Sequence, residues 1–379
     1  MTGQTLSSRR YRVMVVDDSA VIRGLLTRTL EEDHDIQVTA SVSNGQMALN
    51  SLAREPVDVV VLDIEMPVMD GLTALPKILE ASPRTKVIMA STLTRKNADV
   101  SLQAMRAGAA DYIAKPTSSL GHQSAADFRR ELRTKVKALA EAGRKEPSAP
   151  TPRQPEARRE QPAARATAAP TRPSDMNLRP LGGMPPRVLA IGSSTGGPQA
   201  LFKVLGDLRG VLRDLPVLIT QHMPATFTTL LAEHLARVSG LPCKEGENDA
   251  PLQPGHIHVA PGGYHMMAVR NGADKPVIRL TEEPPENFCR PSVNPMLRSL
   301  SDIYGARTLV LILTGMGSDG LAGAEKVVAN GGTVIAQDEA SSVVWGMPGA
   351  VAGRGLCSAV LPLMQIAPYL RDNILRTAA

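Results

Sequence analysis

The chain is predicted to fold as two doubly wound parallel-sheet α/β domains joined by a disordered linker, and three observations predict this. Short apolar runs alternate with segments of helical periodicity twice over, across residues 11–142 and again across 185–379. Between them, residues 143–184 are rich in Pro, Ala and Arg and carry no hydrophobic periodicity. Finally, reactive side chains stand directly after the apolar runs, and in an open parallel sheet the strand carboxyl ends line the crevice where ligands bind.

Composition narrows the function classes. With 379 residues the chain can build two or three cores. It is 43% hydrophobic, yet no apolar run approaches the ~20 residues of a membrane span. Residues 1–10 are polar, without a signal-peptide core, so a cytoplasmic protein with no membrane insertion is expected. Cys243, Cys289 and Cys357 are too widely spaced for a disulfide framework or a zinc pattern. The net charge of +5 lies mostly between Arg144 and Arg179, where eight Lys or Arg face four Asp or Glu. The folded parts are thus nearly neutral and show no helix-turn-helix or basic recognition helix, so no nucleic-acid partner is expected. A flexible linker of this length would reach roughly 30 to 40 Å, tethering two domains without fixing their arrangement.

In the first domain, Val13 to Val16 and residues 57–62, 86–90 and 112–114 read as strands. Asp17 and Asp18 follow the first of these, Asp63 the second, Ser91 the third, and Lys115-Pro116 the last. Three carboxylates meeting at strand ends repel one another unless a hard cation such as Mg²⁺ joins them. Lys115 and the metal would then neutralise a phosphoryl group on Asp63. These residues, with Asp63-Ile64-Glu65-Met66-Pro67, Asp70-Gly71 and the run from Gly108 to Tyr112, resemble a flavodoxin-like two-component response-regulator receiver. The resemblance implies that Asp63 takes phosphoryl from a histidine kinase while Asp17, Asp18 and Asp63 hold Mg²⁺. It also makes Ser91, Tyr112 and Lys115 the switch residues.

The second domain opens on Val188-Leu189-Ala190-Ile191, followed by Gly192-Ser193-Ser194-Thr195-Gly196-Gly197-Pro198 and a helical pattern. A buried strand turning sharply into a helix there would expose the Ser194 hydroxyl beside free backbone N–H groups. Ser193, Ser194 and Thr195 would otherwise merely cap a helix. Two further apolar strands deliver Gln221-His222-Met223-Pro224 and the run from Thr314 to Gly320 at their carboxyl ends. Ser194 as nucleophile, His222 as base and Asp319 as the acid that orients it are therefore expected to converge. The backbone N–H groups of Thr195 and Met316 are candidates for an oxyanion hole. Residues 255–260, 264–270 and 275–280, punctuated by Gly and Pro, suggest a small β insertion, and residues 291–304 a helix.

The order Ser, His, Asp departs from the Ser, Asp, His order of α/β-hydrolases. With Ala260-Pro261-Gly262 and Arg290-Pro291-Ser292-Val293, these motifs resemble a Rossmann-like catalytic domain of chemotaxis-receptor protein-glutamate methylesterases. The resemblance implies phosphorylation-activated hydrolysis of glutamate methyl esters on chemoreceptors, releasing methanol, often with deamidation of receptor glutamines. It implies no cofactor for the hydrolysis itself. Asn294 stands where the family often carries Asp, outside the triad.

Two other readings compete. Gly315-x-Gly317-x-x-Gly320 after an apolar strand spells a dinucleotide fingerprint, with Asp338 near the position of a ribose-binding acid, and would make the chain a receiver-controlled oxidoreductase. That fingerprint normally opens its domain, however, and it leaves the Ser194 and His222 turns unexplained. His256-x-His258, with His265 nearby, offers zinc ligands without a clear fourth.

Overall fold

The computed structural model describes residues 10–92, 94–115, 122–145 and 177–375. The first domain runs β1 (Tyr11–Val16), α1 (Ala20–Glu31), β2 (Ile36–Val42), α2 (Gly45–Leu52), β3 (Val59–Asp63), α3 (Gly71–Ala81), β4 (Lys86–Ser91), α4 (Arg95–Arg106), β5 (Asp111–Ala114) and α5 (His122–Lys145). Its strands pair in parallel in the order β2-β1-β3-β4-β5. β3 and most of β1 are buried on both faces, which is why they read as unbroken Val-rich runs. Four helices begin where a short polar side chain accepts a backbone N–H three residues on: Ser19, Asn44, Asp70 and Thr94. The strand order reverses beside β1, so the ends of β1 and β3 flank the switch point of the sheet.

The second domain runs β6 (Val188–Ser193), α6 (Gly197–Asp207), β7 (Val217–Gln221), α7 (Ala225–Ser239), β8 (Cys243–Glu245), β9 (Ile257–Val259), β10 (His265–Arg270), β11 (Pro276–Thr281), α8 (Val293–Tyr304), β12 (Thr308–Ile312), α9 (Leu321–Ala329), β13 (Thr333–Gln337), α10 (Met347–Gly353), β14 (Ala359–Leu361) and α11 (Leu363–Asn373). Seven parallel strands follow the order β14-β13-β12-β6-β7-β9-β8. β6 lies at the centre with β12 and β7 on either side, so the three strands expected to carry the reactive residues are neighbours.

Two expectations need correction. Only β10 and β11 form a separate antiparallel hairpin; β9, within residues 255–260, belongs to the main sheet between β7 and β8. Three residues are too few for a period to show, and Ile257 and Val259 join the core on the α7 side while His258 turns to the opposite one. The range 143–184 is also too wide for a linker. Residues 143–145 complete α5, where Arg144 pairs with Asp58. At the other end Arg179 N donates to Cys357 O and Gly182 N to Thr333 Oγ1, holding the chain against the second domain. Residues 146–176, and Pro116, lie outside the described residues.

The two domains pack through α4 against α6 and α7. The Tyr112 ring stacks on Phe227 of α7 with centroids 4.1 Å apart. Gln199 Nε2 donates to Met105 O at 2.8 Å and to Ala109 O. Further out, Asp99 meets His234 at 2.8 Å and Arg95 meets Glu233 at 2.7 Å.

Candidate active site

The turn after β6 is fixed from beneath. Ser193 faces inward, its Oγ donating to Gln221 Oε1 at 2.7 Å, while Gln221 Nε2 donates to Ser194 O at 3.0 Å. Ser194 N donates to Thr314 O at 3.0 Å and Gly197 N to Ser194 O at 2.7 Å, closing a tight turn that leaves the Ser194 side chain partly exposed. Gly196 sits in the left-handed region at φ 75°, where a side chain would also strike Val343. Gly315, after β12, approaches so closely that a Cβ there would stand 2.9 Å from Ser194 Cβ. Of the glycines in the dinucleotide spelling, Gly315 thus serves close approach to Ser194, while Gly317 and Gly320 take positive φ of 82° and 92° in the turn, and Asp338 is engaged by Ser341 N and Oγ in its own turn.

His222 follows β7, and its Nε2 lies 2.8 Å from Asp319 Oδ2. Asp319 is buried, and its carboxylate is surrounded by donors. Oδ1 accepts from Ser292 Oγ at 2.8 Å, Gly320 N at 2.8 Å, Asn294 N at 3.2 Å and Asn287 Nδ2 at 3.3 Å. Oδ2 accepts from Val293 N at 2.7 Å in addition to His222. The N-terminus of α8 therefore points its free N–H groups at Asp319. Burial pushes the Asp319 carboxyl up, but the His222 ring, Val293 N and Ser292 Oγ together hold it below its usual value. Burial in turn works against a charged His222, yet Cys289 and Asp319 beside the ring outweigh it and lift the imidazole to about 10. Ser194, His222 and Asp319 are thus brought to adjacent strand ends, though among the described residues no hydrogen bond joins Ser194 Oγ to His222.

The N–H groups of Thr195 and Met316 make no hydrogen bond among the described residues. The Thr195 hydroxyl, however, donates to Asp111 Oδ2 at 2.7 Å, so this turn lies under the first domain. Several residues of this site were not singled out from sequence: Gln221 as the brace of the turn, Asn287 and Ser292 as donors to Asp319, and Glu286. Glu286 accepts from Asn294 Nδ2 at 2.8 Å and pairs with both terminal nitrogens of Arg298. The only signal was the run Arg290-Pro291-Ser292-Val293, legible as a motif but silent about what it holds. Asn294 fits this setting: its Oδ1 takes Gly320 N and Gly323 N while its amide donates to Glu286, which a carboxylate could not do. His265 is a brace as well, with Nδ1 accepting from Ser292 N and Nε2 facing Pro284 O. His258 makes no hydrogen bond among the described residues, and burial, with His256 and Lys244 nearby, drops it to about 4. Neither His256 nor His258 belongs to a metal-competent cluster among the described residues.

In the first domain Asp17, Asp18 and Asp63 each offer a carboxylate oxygen, all within 4.8 Å of one another. Such an all-oxygen donor set fits a hard divalent cation. Lys115 Nζ pairs with Asp63 at 2.6 Å and Asp17 at 2.7 Å, and Ser101 Oγ donates to Ser91 Oγ at 3.1 Å. Burial raises the Asp63 carboxyl above its usual value, with Asp17 adding to the effect and Lys115 opposing it. Tyr112 is buried between Phe227 and the ammonium of Lys135, 4.9 Å from its ring centroid.

Comparison with known proteins agrees with both halves. The family model for the response regulator receiver domain matches residues 13–122, and that for CheB methylesterase matches 189–370. A protein-glutamate methylesterase/protein-glutamine glutaminase of group 2 operon from Rhodospirillum centenum is 56% identical over all of this chain and 98% of its own length. A protein-glutamate methylesterase/protein-glutamine glutaminase 1 from Paramagnetospirillum magneticum is 58% identical over 95% of each chain. The solved catalytic domain of Thermotoga maritima CheB methylesterase is 38% identical over 49% of this chain and 98% of its own, with a TM-score of 0.47. Among the described residues no helix is long and apolar enough to cross a membrane. With relatives alike along their whole length, receiver and catalytic halves together, the chain belongs to the family of protein-glutamate methylesterase/protein-glutamine glutaminases that carry a receiver domain.

Proposed function

We propose that this protein is a receiver-controlled serine esterase that removes methyl groups from glutamate side chains of chemoreceptors and deamidates their glutamines. The observation that carries the reading is the His222–Asp319 pair standing beside the Ser194 turn at neighbouring strand ends. Because Asp319 occupies Nε2, the nitrogen that serves Ser194 is Nδ1. Ser194 Oγ attacks the ester carbonyl as Nδ1 takes its proton, and Asp319 stabilises the resulting imidazolium. The N–H groups of Thr195 and Met316 hold the developing oxyanion. His222 then returns the proton to the departing methanol, or to ammonia from an amide, and water releases the glutamate from Ser194 by the same steps in reverse. None of these steps calls for a metal.

The receiver half receives phosphoryl on Asp63 from a histidine kinase. Asp17, Asp18 and Asp63 are the residues that would hold Mg²⁺, which when bound supplies positive charge to the incoming phosphoryl group. Lys115 pairs with the phosphoryl oxygens, and Ser91 and Tyr112 carry the change to the α4–β5 face. That face is the one docked on α6 and α7, with Asp111 bonded to the oxyanion-hole residue Thr195. Docking in this position covers the nucleophile turn, so phosphorylation activates by weakening it. The domains in this reading are residues 11–145 and 177–379, and the connecting segment only tethers them.

The test is incubation with receptors carrying tritiated methyl esters, measuring volatile methanol. Ser194→Ala removes one partly exposed hydroxyl and is expected to lower the rate by roughly 10³-fold or more with unchanged thermal unfolding. An active Ser194→Ala enzyme would assign the nucleophile elsewhere.

A further inference from the structure

The catalytic imidazole has two nitrogens and three claimants. Asp319 holds Nε2, so only Nδ1 can relieve Ser194 of its proton. Nδ1, however, lies 3.3 Å from Cys289 Sγ, within hydrogen-bonding distance for sulfur. One ring nitrogen serves one partner at a time, whether it carries a proton or a lone pair.

The thiol is held there by construction. Glu286 and Cys289 bond to each other's backbone across a tight turn, Glu286 N to Cys289 O at 3.2 Å and Cys289 N to Glu286 O at 3.0 Å. Asn287 and Phe288 at the tip both adopt positive φ, 53° and 63°. The turn is tied to the residues that fix Asp319, through Glu286 to Asn294 and Arg298 and through Asn287 to Asp319 itself. Phe288, next to Cys289, presents its ring to the Arg130 guanidinium of α5 at 4.9 Å. Consecutive residues of one turn thus touch the receiver and the catalytic base.

We infer that Cys289 is a positioning residue that competes with Ser194 for His222 Nδ1 and keeps the base disengaged while the receiver is docked. The inference rests on the Ser194, His222, Asp319 assignment. Releasing Phe288 from Arg130 frees the turn, the thiol leaves Nδ1, and Ser194 takes its place. A base in contact with both Asp319 and Cys289 also holds its proton more firmly than one in contact with Asp319 alone, so withdrawal of the thiol both frees Nδ1 and eases its deprotonation.

The test compares wild type, Cys289→Ala and Cys289→Ser as full-length protein, with and without a small acyl phosphate, on methyl-esterified receptors. Cys289→Ala is expected to raise kcat of the unphosphorylated enzyme about three- to ten-fold, to leave KM unchanged and to gain less from phosphodonor. The acid limb of kcat/KM moves down by about one pH unit, because the raised imidazole loses one of the two partners that raise it. Cys289→Ser, whose shorter hydroxyl still reaches toward the ring, falls between the two, and it carries the test if Cys289→Ala unfolds early. Unchanged or lower kcat with an unmoved acid limb in both variants overturns the inference. So does methanol release by Ser194→Ala that a thiol reagent abolishes, which would make Cys289 a nucleophile. An inactive Ser194→Ala with an unaltered Cys289→Ala would leave the triad standing and remove only the competition.

Discussion

The receiver acids and Asp319, the proposed catalytic acid, stand in equivalent places, at strand ends beside the switch point of a parallel sheet, yet they are treated in opposite ways. Asp17, Asp18 and Asp63 crowd within 4.8 Å with Lys115 as the cation paired to two of them. Asp319 stands among donors: a histidine, a serine hydroxyl, an asparagine amide and three backbone N–H groups address its two oxygens. The first site carries a surplus of negative charge that calls for a ligand, whereas the second is saturated and rigid before any substrate arrives. A site built to bind and release a charged group stays electrostatically incomplete, and a site built to orient a base is finished in advance.

The largest test of this contrast is Asp319→Asn. An amide must turn an NH₂ toward one of the donors that now face the carboxylate, and it sets the wrong His222 tautomer, so kcat is expected to fall about 10³-fold in methanol release. A loss of less than ten-fold would mean the donor shell orients His222 without the charge. Ser292→Ala removes one donor of six and should lower kcat about ten-fold with KM unchanged, by the lower end of the typical worth of one hydrogen bond to a charged group. Equal losses in the two variants would show that the shell acts as a single unit. The smallest effect belongs to the receiver. Asp63→Asn abolishes labelling by an acyl phosphate, and without Mg²⁺ it should stabilise the receiver by at most about 1 kcal/mol, since it relieves one crowded carboxylate in a partly solvent-screened cluster. Saturating Mg²⁺ should erase that gain in thermal unfolding. Destabilisation in the absence of Mg²⁺ would show that Lys115 already balances the cluster.

The same contrast explains what the sequence disclosed. The receiver site is made of residues that end strands or follow them immediately, so the apolar runs of β1 and β3 announce Asp17, Asp18 and Asp63. Ser194, His222 and Asp319 stand out for the same reason, each placed after a buried parallel strand. The shell around Asp319 was not, because Ser292 and Asn287 reach it from a helix start and a turn about thirty residues away in sequence, and nothing local marks such contacts. β8, β9 and β14 were missed or misplaced because three residues show no period, and only pairing with longer neighbours makes them strands. The contact of Cys289 with His222 follows from positive φ at Asn287 and Phe288, which neither residue type announces.

The docked face has a consequence for how the two halves need to be joined. Tyr112 on Phe227, Gln199 on the end of α4 and Asp111 on Thr195 are surface-to-surface contacts, and none of them involves the segment that links the domains. Joining two domains in one chain adds effective concentration, on the order of millimolar where a short flexible linker does it. Receiver and esterase supplied as two separate polypeptides would therefore still recognise each other, in the same pose and with the same response to phosphoryl transfer, but only when their concentrations approach what the tether provides. In the proposed reading, covalent connection sets the dose of the docked receiver at one per esterase domain, and the recognition itself is written on the surfaces.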